Sequence, residues 1–338
     1  MRSMQAIGAM AGAVLALGID GADAADYTLK IQTNSPSGSL PFEYLEEMIE
    51  RVHAATGGRL EITLLPVGAV VAATETLDAI RDVILDGHET GPVLFAGKDP
   101  AFAMLGDLTA GYDNGFQVCA FMDYGGGLEI LRELYAPYEA YPVGAICQGP
   151  ESMIAVKPIR SLADLKGLKV RTPPGMEQAV FARLGATPVG MPATEIYGAI
   201  ERKVIEAADW GSYAQNSQQG LHKIAPYPVI AGWHSNGVNE ISIRKDKWDA
   251  LPADIQTVLA MAVRDHSREK LARLMLADEE VAAAEAAQGI EVVRPSAEER
   301  KAVREVAKDV WAEWAGRSPT AQKAYDAHVA FMTKLGLL

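Results

Sequence analysis

The stretch from Lys166 to Trp210, KGLKVRTPPGMEQAVFARLGATPVGMPATEIYGAIERKVIEAADW, alternates between two kinds of apolar periodicity. Short apolar runs indicate three strands, and the two segments between them carry apolar residues every three or four positions, as helices do. The first helical face contains Val180 and Phe181 and ends at Gly185, a typical helix stop. This order of strand, helix, strand, helix and strand predicts an open α/β sheet with crossover helices.

The same alternation precedes this stretch. Strands are predicted at 27–32 and 60–66, and helices at 42–55 and 74–85. Because 338 residues exceed one typical domain, the pattern predicts two α/β lobes. We identify no internal repeat and no low-complexity linker. The apolar runs within 141–156 therefore predict hinge strands that connect the lobes.

The C-terminal region is mostly helical. Pro252 and Gly289 bound a segment that predicts one helix of about 36 residues, which at about 1.5 Å per residue extends roughly 54 Å and exceeds one lobe. A second helix begins at Ser296, with Glu299 in capping-box spacing, and continues past Trp314.

Residues 1–24 have the order of a secretory signal peptide: basic Arg2, a short apolar run, and Ala22-Asp23-Ala24. We expect cleavage after Ala24 and a periplasmic mature protein. A membrane anchor is the alternative, but the apolar run is shorter than the about 18 residues that span a bilayer.

The formal net charge is −13, which argues against binding to nucleic acid or anionic lipid. An anion can still bind at a local cationic site. Cys119 and Cys147 are the only cysteines, so the chain is not a disulfide scaffold. A disulfide and two buried thiols both remain open for this pair.

The sequence contains none of the common catalytic motifs, and its six histidines are scattered without metal-ligand spacing. The glycine run Gly125–Gly127 lacks the spacing of a dinucleotide loop. We therefore predict a protein that is not an enzyme. An enzyme that acts on a carboxylate stays the alternative, because catalytic groups can assemble from distant residues.

Two polar positions follow the predicted strands. Arg171 stands where one strand ends, and ligands of open α/β sheets bind beyond the carboxyl ends of strands, where a guanidinium matches a carboxylate. Asp209 and Trp210 end another strand, and they offer an oxygen for a hard cation and an apolar wall. A solvated arginine and a core tryptophan are the structural alternatives.

Three segments together resemble a known family. SLADLKGLKVRTPP, LGATPVGMPATEIYGAIERKVIEAADW and GLHKIAPYPVIAGWH are similar, in order and spacing, to solute-binding proteins of tripartite ATP-independent periplasmic (TRAP) transporters, in the branch that binds 2-oxo acids and related monocarboxylates. The resemblance implies a two-lobed periplasmic binding protein fold with open sheets, hinge strands and a long helix that spans both lobes. It also implies delivery of a small organic anion to membrane permease subunits, and a homodimer that exchanges C-terminal helices.

The resemblance assigns roles to individual residues. Arg171 corresponds to the arginine that holds the ligand carboxylate, and Trp210 to the residue that contacts the ligand and, through its carbonyl, a cation. Asp209 corresponds to an acidic cation ligand for Na⁺ or Ca²⁺. Gln148 lies near a polar hinge residue of the family, and Phe95 near a ligand-facing aromatic residue.

The chain departs from the family pattern at three places, one of which is the unusual hinge segment CQGPES at 147–152. Ser235 stands where the branch has an acidic or amide cation ligand. Because a hydroxyl is a weaker ligand for a hard cation, this residue argues against a cation site formed by Asp209, Trp210 and Ser235. Lys203 stands where a glycine is usual, and a left-handed backbone there would cost about 1 kcal/mol.

The predicted organisation is therefore a signal peptide at 1–24, a first lobe from 26–147 plus 236–275, a second lobe at 148–235, and C-terminal helices at 276–338 for spanning and dimerisation. The predicted function is a TRAP solute receptor. A sensor protein that presents its ligand to a membrane receptor is a further alternative.

Overall fold

The computed structural model describes residues 25–173, 175–230 and 232–338. The predicted signal peptide at 1–24 and its cleavage after Ala24 lie outside this part of the chain. Within the described residues, no helix is both long and apolar enough to cross a membrane.

Two separate sheets organise the chain. The first contains five strands in the order β2-β1-β3-β9-β4, and the second contains four in the order β5-β8-β6-β7. The strands are β1 Tyr27–Thr33, β2 Leu60–Leu65, β3 Gly87–Thr90, β4 Ala140–Cys147, β5 Met153–Ala155, β6 Lys169–Thr172, β7 Thr187–Gly190, β8 Ala207–Asp209 and β9 Val238–Arg244.

Helices surround the sheets and form the C-terminal region. They are α1 Leu40–Ala55, α2 Thr76–Arg81, α3 Pro100–Gly106, α4 Gly115–Tyr124, α5 Gly127–Tyr135, α6 Met176–Arg183, α7 Ile196–Glu201, α8 Tyr213–Gln218, α9 Leu221–Ile224, α10 Lys245–Ala250, α11 Ala253–Ala287, α12 Ala297–Ala315 and α13 Pro319–Lys334. The segment predicted as one helix at 74–85 is a 3₁₀ turn, Ala73–Glu75, followed by the shorter α2.

The chain crosses twice between the sheets. It leaves the first sheet after β4 and returns to it as β9, which pairs antiparallel with β3 and β4. In the second sheet β6 pairs parallel with β7 and β8, and β5 pairs antiparallel with β8. The predicted two-lobed α/β fold is confirmed. The predicted boundaries, 26–147 plus 236–275, 148–235 and 276–338, stay predictions.

Apolar spacing explains how the first lobe packs. Helix α1 buries Phe42, Leu45, Met48 and Val52, which recur at three- and four-residue intervals. Leu45, Met48 and Val52 pack with apolar residues of β1, β2 and β9 in one core cluster. The helix ends before Gly57, whose φ is +63°.

Helix α11 connects the lobes, as its predicted length requires. Its 35 residues correspond to about 52 Å. In the first lobe Ser267 Oγ accepts a hydrogen bond from the Cys147 amide at 2.9 Å. In the second lobe Asp278 accepts from the Ala214 amide at 2.8 Å, and Glu285 accepts from the Tyr213 hydroxyl at 2.6 Å.

The last two helices pack against their own chain. Trp311 of α12 donates to the Thr109 carbonyl at 2.9 Å, and Arg183 of α6 pairs with Glu313, so α12 contacts both lobes. In α13, His328 Nδ1 lies 2.9 Å from the Tyr112 hydroxyl. The exchange of C-terminal helices in a dimer, which the resemblance implies, stays a prediction.

One backbone unit occurs in both lobes, at 73–90 and 193–210. Each copy contains a 3₁₀ turn, a six-residue helix, a left-handed residue and a strand. The left-handed residues are Val83, with φ 62°, and Lys203, with φ 58°. Lys203 thus adopts the left-handed conformation, which costs a residue with a side chain about 1 kcal/mol, at the position where a glycine is usual.

Equivalent hydrogen bonds confirm this repeat. The Asp86 amide donates to the Lys30 carbonyl at 3.0 Å, and the Glu206 amide donates to the Lys169 carbonyl at 2.8 Å. The expectation of no internal repeat is therefore wrong. Identity between the copies is confined to short segments, Ala-Thr-Glu at 73–75 and 193–195 and Ala-Ile at 79–80 and 199–200, which explains why it escapes notice.

The two cysteines form a disulfide within the first lobe. Cys119 of α4 and Cys147 at the end of β4 have Cα atoms 5.8 Å apart. Of the two alternatives that the sequence left open, the structure adopts the bonded one. The bridge anchors the strand immediately before the first crossing between the lobes.

Candidate functional site

A cavity of about 130 Å³ lies between the lobes, beyond the C-terminal ends of β6 and β8. Both lobes and the crossing segments contribute polar side chains to its lining. They include Asn34, Asp107, Thr109 and Asn239 from the first lobe, Arg171, Glu177, Asp209 and Trp210 from the second, and Gln148, Glu151 and Ser235 from the crossings.

Arg171 is held rigidly at this cavity. It is 5% exposed, its Nε donates to the Met191 carbonyl at 3.1 Å, and one Nη donates to the Asp209 carbonyl at 2.6 Å. Its guanidinium carbon lies 5.8 Å from the centre of the Trp210 ring. Two main-chain acceptors therefore fix the orientation of a buried cation that faces the cavity.

Asp209 is the buried counter-charge in this site. Its Oδ1 lies 2.6 Å from His234 Nε2, and its Oδ2 lies 3.9 Å from Arg171. Burial raises the pKa of Asp209, but His234 and Arg171 together outweigh burial and lower the pKa below its usual value. Asp209 is therefore ionised, and its charge is shared by two neighbours.

Glu151 completes a group of possible metal ligands with Asp209 and His234. One ligand atom from each residue lies within 4.8 Å of the others. Burial, followed by repulsion from Asp209 and Asp107, raises the pKa of Glu151 well above its usual value. Two carboxyls this close need a proton or a cation between them.

Two further acids line the cavity. Burial raises the pKa of Asp107 to about 7, against the opposing effect of its hydrogen bond with Ser235. Burial and neighbouring carboxylates raise the pKa of Glu177 well above its usual value. Glu177 is 4% exposed, and its Oε1 has no hydrogen-bond partner among the described residues.

The structure brings most of the predicted site residues together. Arg171, Asp209, Trp210, Gln148 and Ser235 all line the cavity. The Trp210 carbonyl, which the resemblance assigns to a cation, accepts a hydrogen bond from Asn216 at 2.6 Å. A carbonyl oxygen has a second lone pair, so this bond leaves one position for a cation.

Phe95 is not brought to this cavity. It is 1% exposed and stacks on His88 with ring centres 5.7 Å apart, while Phe102 and Tyr135 pack edge-on against it. Its side chain belongs to the core of the first lobe. The ligand-facing position that the resemblance implies for Phe95 does not agree with this placement.

The oxygen atoms of this site fit a hard cation. Asp209 and Glu151 offer carboxylate oxygens, and Gln148 and Ser235 offer neutral ones nearby. His234 is already bonded to Asp209, so it orients that ligand. Sodium and calcium prefer such oxygen-rich sites, whereas zinc favours nitrogen and sulfur.

Sequence reasoning missed three acids of the site and the pairing of one histidine. Asp107, Glu151 and Glu177 carry no motif, and only the fold brings them to one cavity. His234 ends the segment GLHKIAPYPVIAGWH, but its pairing with Asp209, 25 residues away, is a tertiary contact that local spacing does not reveal.

Comparisons with known proteins agree with this architecture. A family model described as bacterial extracellular solute-binding protein, family 7, matches residues 31–317. The monocarboxylate 2-oxoacid-binding periplasmic protein of Nostoc sp. is 28% identical over 309 residues, which cover 90% of this chain and 84% of that protein.

Two solved structures extend the similarity to three dimensions. A TRAP periplasmic solute-binding protein from Rhodobacter sphaeroides, in an apo open structure, has a TM-score of 0.79 and 36% identity, over 92% of this chain and 99% of that one. A TRAP transporter solute-binding protein from Bordetella bronchiseptica has a TM-score of 0.82 and 27% identity, over 93% and 94%. It is described as a mixed-occupancy dimer with copurified calcium and picolinate at one active site.

Proposed function

Because the chain belongs to family 7 of the bacterial extracellular solute-binding proteins, the solute receptors of TRAP transporters, we propose that its inter-lobe cavity binds a small organic acid through Arg171. One observation carries this proposal. Arg171 is a buried guanidinium that main-chain carbonyls fix at a cavity between the lobes. A fixed, desolvated guanidinium is the side chain best suited to a carboxylate.

Relatives support a monocarboxylate as the ligand. The Nostoc protein is named for 2-oxo acids, and the Bordetella structure holds picolinate, which also carries one carboxylate. In our proposal the Trp210 ring forms an apolar wall beside the carboxylate, and Gln148 contributes a polar contact from the crossing segment.

A cation completes the proposed site. Asp209 and Glu151 would hold Na⁺ or Ca²⁺, and the Trp210 carbonyl would contribute a further oxygen. Ser235 replaces the stronger ligand of the branch, and Glu151 supplies a nearby carboxylate. Such an ion neutralises the acids and attracts the ligand carboxylate.

Ligand binding shifts an equilibrium between open and closed lobes. Only a closed arrangement lets both halves of the cavity contact one small molecule, so the ligand stabilises that arrangement by its differential affinity. The closed receptor then presents its ligand to the membrane permease subunits with which TRAP receptors work. Proteins of this family are receptors, so the enzyme alternative is not favoured.

Location and assembly follow from the same assignment. Relatives are periplasmic proteins. We propose that residues 1–24 direct export and are removed after Ala24, and N-terminal sequencing of periplasmic protein tests this. We also propose a homodimer, which the Bordetella dimer supports. Light scattering at micromolar concentration distinguishes dimer from monomer.

Mass spectrometry of the ligand released from purified protein tests the proposed function. We expect a small carboxylic acid, and we expect the same acid to raise the thermal midpoint when it is added back, since ligands stabilise the state they bind. Chelator-treated protein should respond less, and Ca²⁺ or Na⁺ should restore the response. A screen in which no organic acid raises the midpoint would contradict the proposal.

A further inference from the structure

Glu177 is the acid of the cavity that neither the arginine nor the candidate cation site accounts for. Asp209 is bonded to His234, Glu151 lies beside Asp209, and Asp107 is hydrogen-bonded to Ser235. Within the described residues, Glu177 Oε1 has no partner although the side chain is 4% exposed. Buried polar atoms are rarely left unpaired, because the cost is about 1–3 kcal/mol.

The location of Glu177 points it toward a ligand. It lies in the first turn of α6, six residues after Arg171, and both residues line the same cavity. Thr109, across the cavity in the first lobe, also has a buried hydroxyl without a partner among the described residues. Two residues of the cavity lining, one from each lobe, therefore carry a buried polar atom that has no partner among the described residues.

The balance of charges selects the chemistry of that ligand. Four carboxyl groups line the cavity, at positions 107, 151, 177 and 209, and Arg171 is the cationic side chain among its lining residues. A 2-oxo acid offers hydrogen-bond acceptors, which suit Arg171 but add acceptors opposite Glu177. A hydroxyl or an amino group beside the ligand carboxylate can donate a hydrogen bond to an acceptor oxygen of Glu177.

We propose that Glu177 is a specificity-determining residue that accepts a hydrogen bond from an amino or hydroxyl group of the ligand, so that this receptor prefers a small amino or hydroxy acid to the corresponding 2-oxo acid. This inference rests on the proposed function, because Arg171 holds the carboxylate in both. It adds the class of the second functional group. Met176, next to Glu177, also lines the cavity and would cover the apolar part of such a ligand.

A series of three acids tests the inference by calorimetry on the full mature chain. The probes are 2-oxobutanoate, 2-hydroxybutanoate and 2-aminobutanoate, which differ only in the group on the second carbon. We expect the hydroxy or the amino acid to bind at least about tenfold more tightly than the oxo acid, since a site built for a donor rejects an analogue that lacks it. The relative affinities of 2-hydroxybutanoate and 2-aminobutanoate identify the donor from which Glu177 accepts its hydrogen bond.

The variant Glu177→Gln sharpens this test. It keeps the shape of the side chain and should reduce the preference for the donor-bearing acid to less than about threefold while 2-oxobutanoate affinity stays within about twofold, because the carboxamide replaces one of the two carboxyl oxygens with an N–H donor. Glu195→Gln, an exposed glutamate of the same lobe, is the matched control and should keep the wild-type ranking. Thermal midpoints of both variants monitor folding.

The outcomes separate the two proposals. Binding of all three acids with the oxo acid preferred, or an unchanged ranking in folded Glu177→Gln, overturns the inference and leaves the proposed function intact. Equal weakening of all three acids also overturns it, because it indicates a structural role for Glu177. Absence of binding by every acid in a broad screen contradicts the proposed function itself.

Discussion

Gln32 in the first lobe and Arg171 in the second occupy equivalent positions in their sheets, yet their side chains do different work. Gln32 lies opposite Leu65 and His88, and Arg171 lies opposite Val189 and Ala208. The Gln32 side chain is hydrogen-bonded to the loop after β2. Its Nε2 donates to the Val71 carbonyl at 2.9 Å, and its Oε1 accepts from main-chain amides.

Arg171 makes the corresponding loop contact and extends beyond it. Its Nε donates to the Met191 carbonyl after β7, and a second nitrogen reaches the Asp209 carbonyl. The longer side chain thus supports the same loop while it brings a positive charge to the cavity. The repeated backbone unit therefore supplies equivalent positions, and the residue type decides which of them binds a ligand.

The acids that end β3 and β8 differ in the same way. Glu89 bonds to Thr33 and Asn239, which are neutral, whereas Asp209 lies between Arg171 and His234. The first lobe satisfies its acid through hydrogen bonds to neutral groups, and the buried Lys270 adds a positive charge without a direct bond to Glu89. The second lobe places its acid between the guanidinium of Arg171 and the imidazole of His234.

The largest expected difference between the lobes concerns these two acids. Asp209→Asn should lower the free energy of unfolding by about 3–5 kcal/mol, because it leaves Arg171 buried without its counter-charge. Glu89→Gln should cost only about 1–2 kcal/mol, since it removes hydrogen bonds to neutral partners. Urea unfolding without added cation measures both. A greater loss for Glu89→Gln would break the comparison.

The disulfide gives the first lobe a constraint that the second lacks. Replacing both cysteines with alanine should lower stability by about 2–4 kcal/mol, because the bridge closes a loop between residues 28 apart in sequence. Hydrogen exchange should show that the loss is concentrated in the first lobe. Equal loosening of both lobes would show that the bridge acts on the whole molecule.

Acid should affect helix α13 and two buried acids of the cavity in opposite directions. Burial lowers the pKa of His328, which packs against the first lobe, to about 3. Its folded form binds fewer protons than the unfolded chain, so its contribution to stability is complete above about pH 6.5 and is lost as the pH falls toward 3. From pH 6.5 to pH 5 the expected loss is about 2 kcal/mol.

Two buried acids of the cavity, Glu151 and Glu177, have the opposite sign. The pKa values of Glu151 and Glu177 are raised, so their folded forms bind more protons, and their contribution declines as the pH rises above about 4.5. Hydrogen exchange at pH 7 and pH 5, corrected for intrinsic rates, should show helix α13 weakening and the segments that carry Glu151 and Glu177 strengthening. His328→Gln should remove much of the acid-induced weakening of α13. Identical pH dependence of α13 and of the segments that carry Glu151 and Glu177 would contradict this prediction.

The smallest predicted effect tests the equivalence of the repeats. Val83→Gly and Lys203→Gly should each change stability by a few tenths to about 1 kcal/mol in the stabilising direction, because glycine adopts a positive φ without strain. Ala79→Gly and Ala199→Gly, at equivalent helical positions, should instead destabilise by up to about 1 kcal/mol. Thermal midpoints measure all four, and opposite signs for Val83→Gly and Lys203→Gly would refute the equivalence.

Local patterns in the sequence predicted most of the fold. The apolar spacing of α1 and the terminal Pro252 and Gly289 of α11 act over a few residues, so their boundaries could be predicted closely. The repeat escaped prediction because its equivalence depends on backbone geometry and strand register, and few side chains are shared. At 74–85 the left-handed Val83 ends the helix early, where no glycine marks the stop.

The residues of the site likewise divide into those that local sequence predicts and those that only the fold brings together. Arg171 and Asp209 could be predicted because they stand at strand ends, where the topology of an α/β sheet directs ligands. Asp107, Glu151 and Glu177 come from a loop, a crossing segment and the first turn of a helix, so only the closure of the two lobes brings them together. Phe95 was misplaced because a single aromatic residue suits a core as well as a cavity.

Calorimetry on Arg171→Gln tests most directly whether one guanidinium distinguishes the lobes in function. This change gives the second lobe the residue of the first, and the probe is the tightest binder among 2-oxo-, 2-hydroxy- and 2-aminobutanoate. We predict a loss of at least about 2 kcal/mol, or roughly 30-fold, in Arg171→Gln, with no change in Arg183→Gln, an arginine of α6 outside the cavity lining. Unchanged affinity in a folded Arg171→Gln protein would contradict the account.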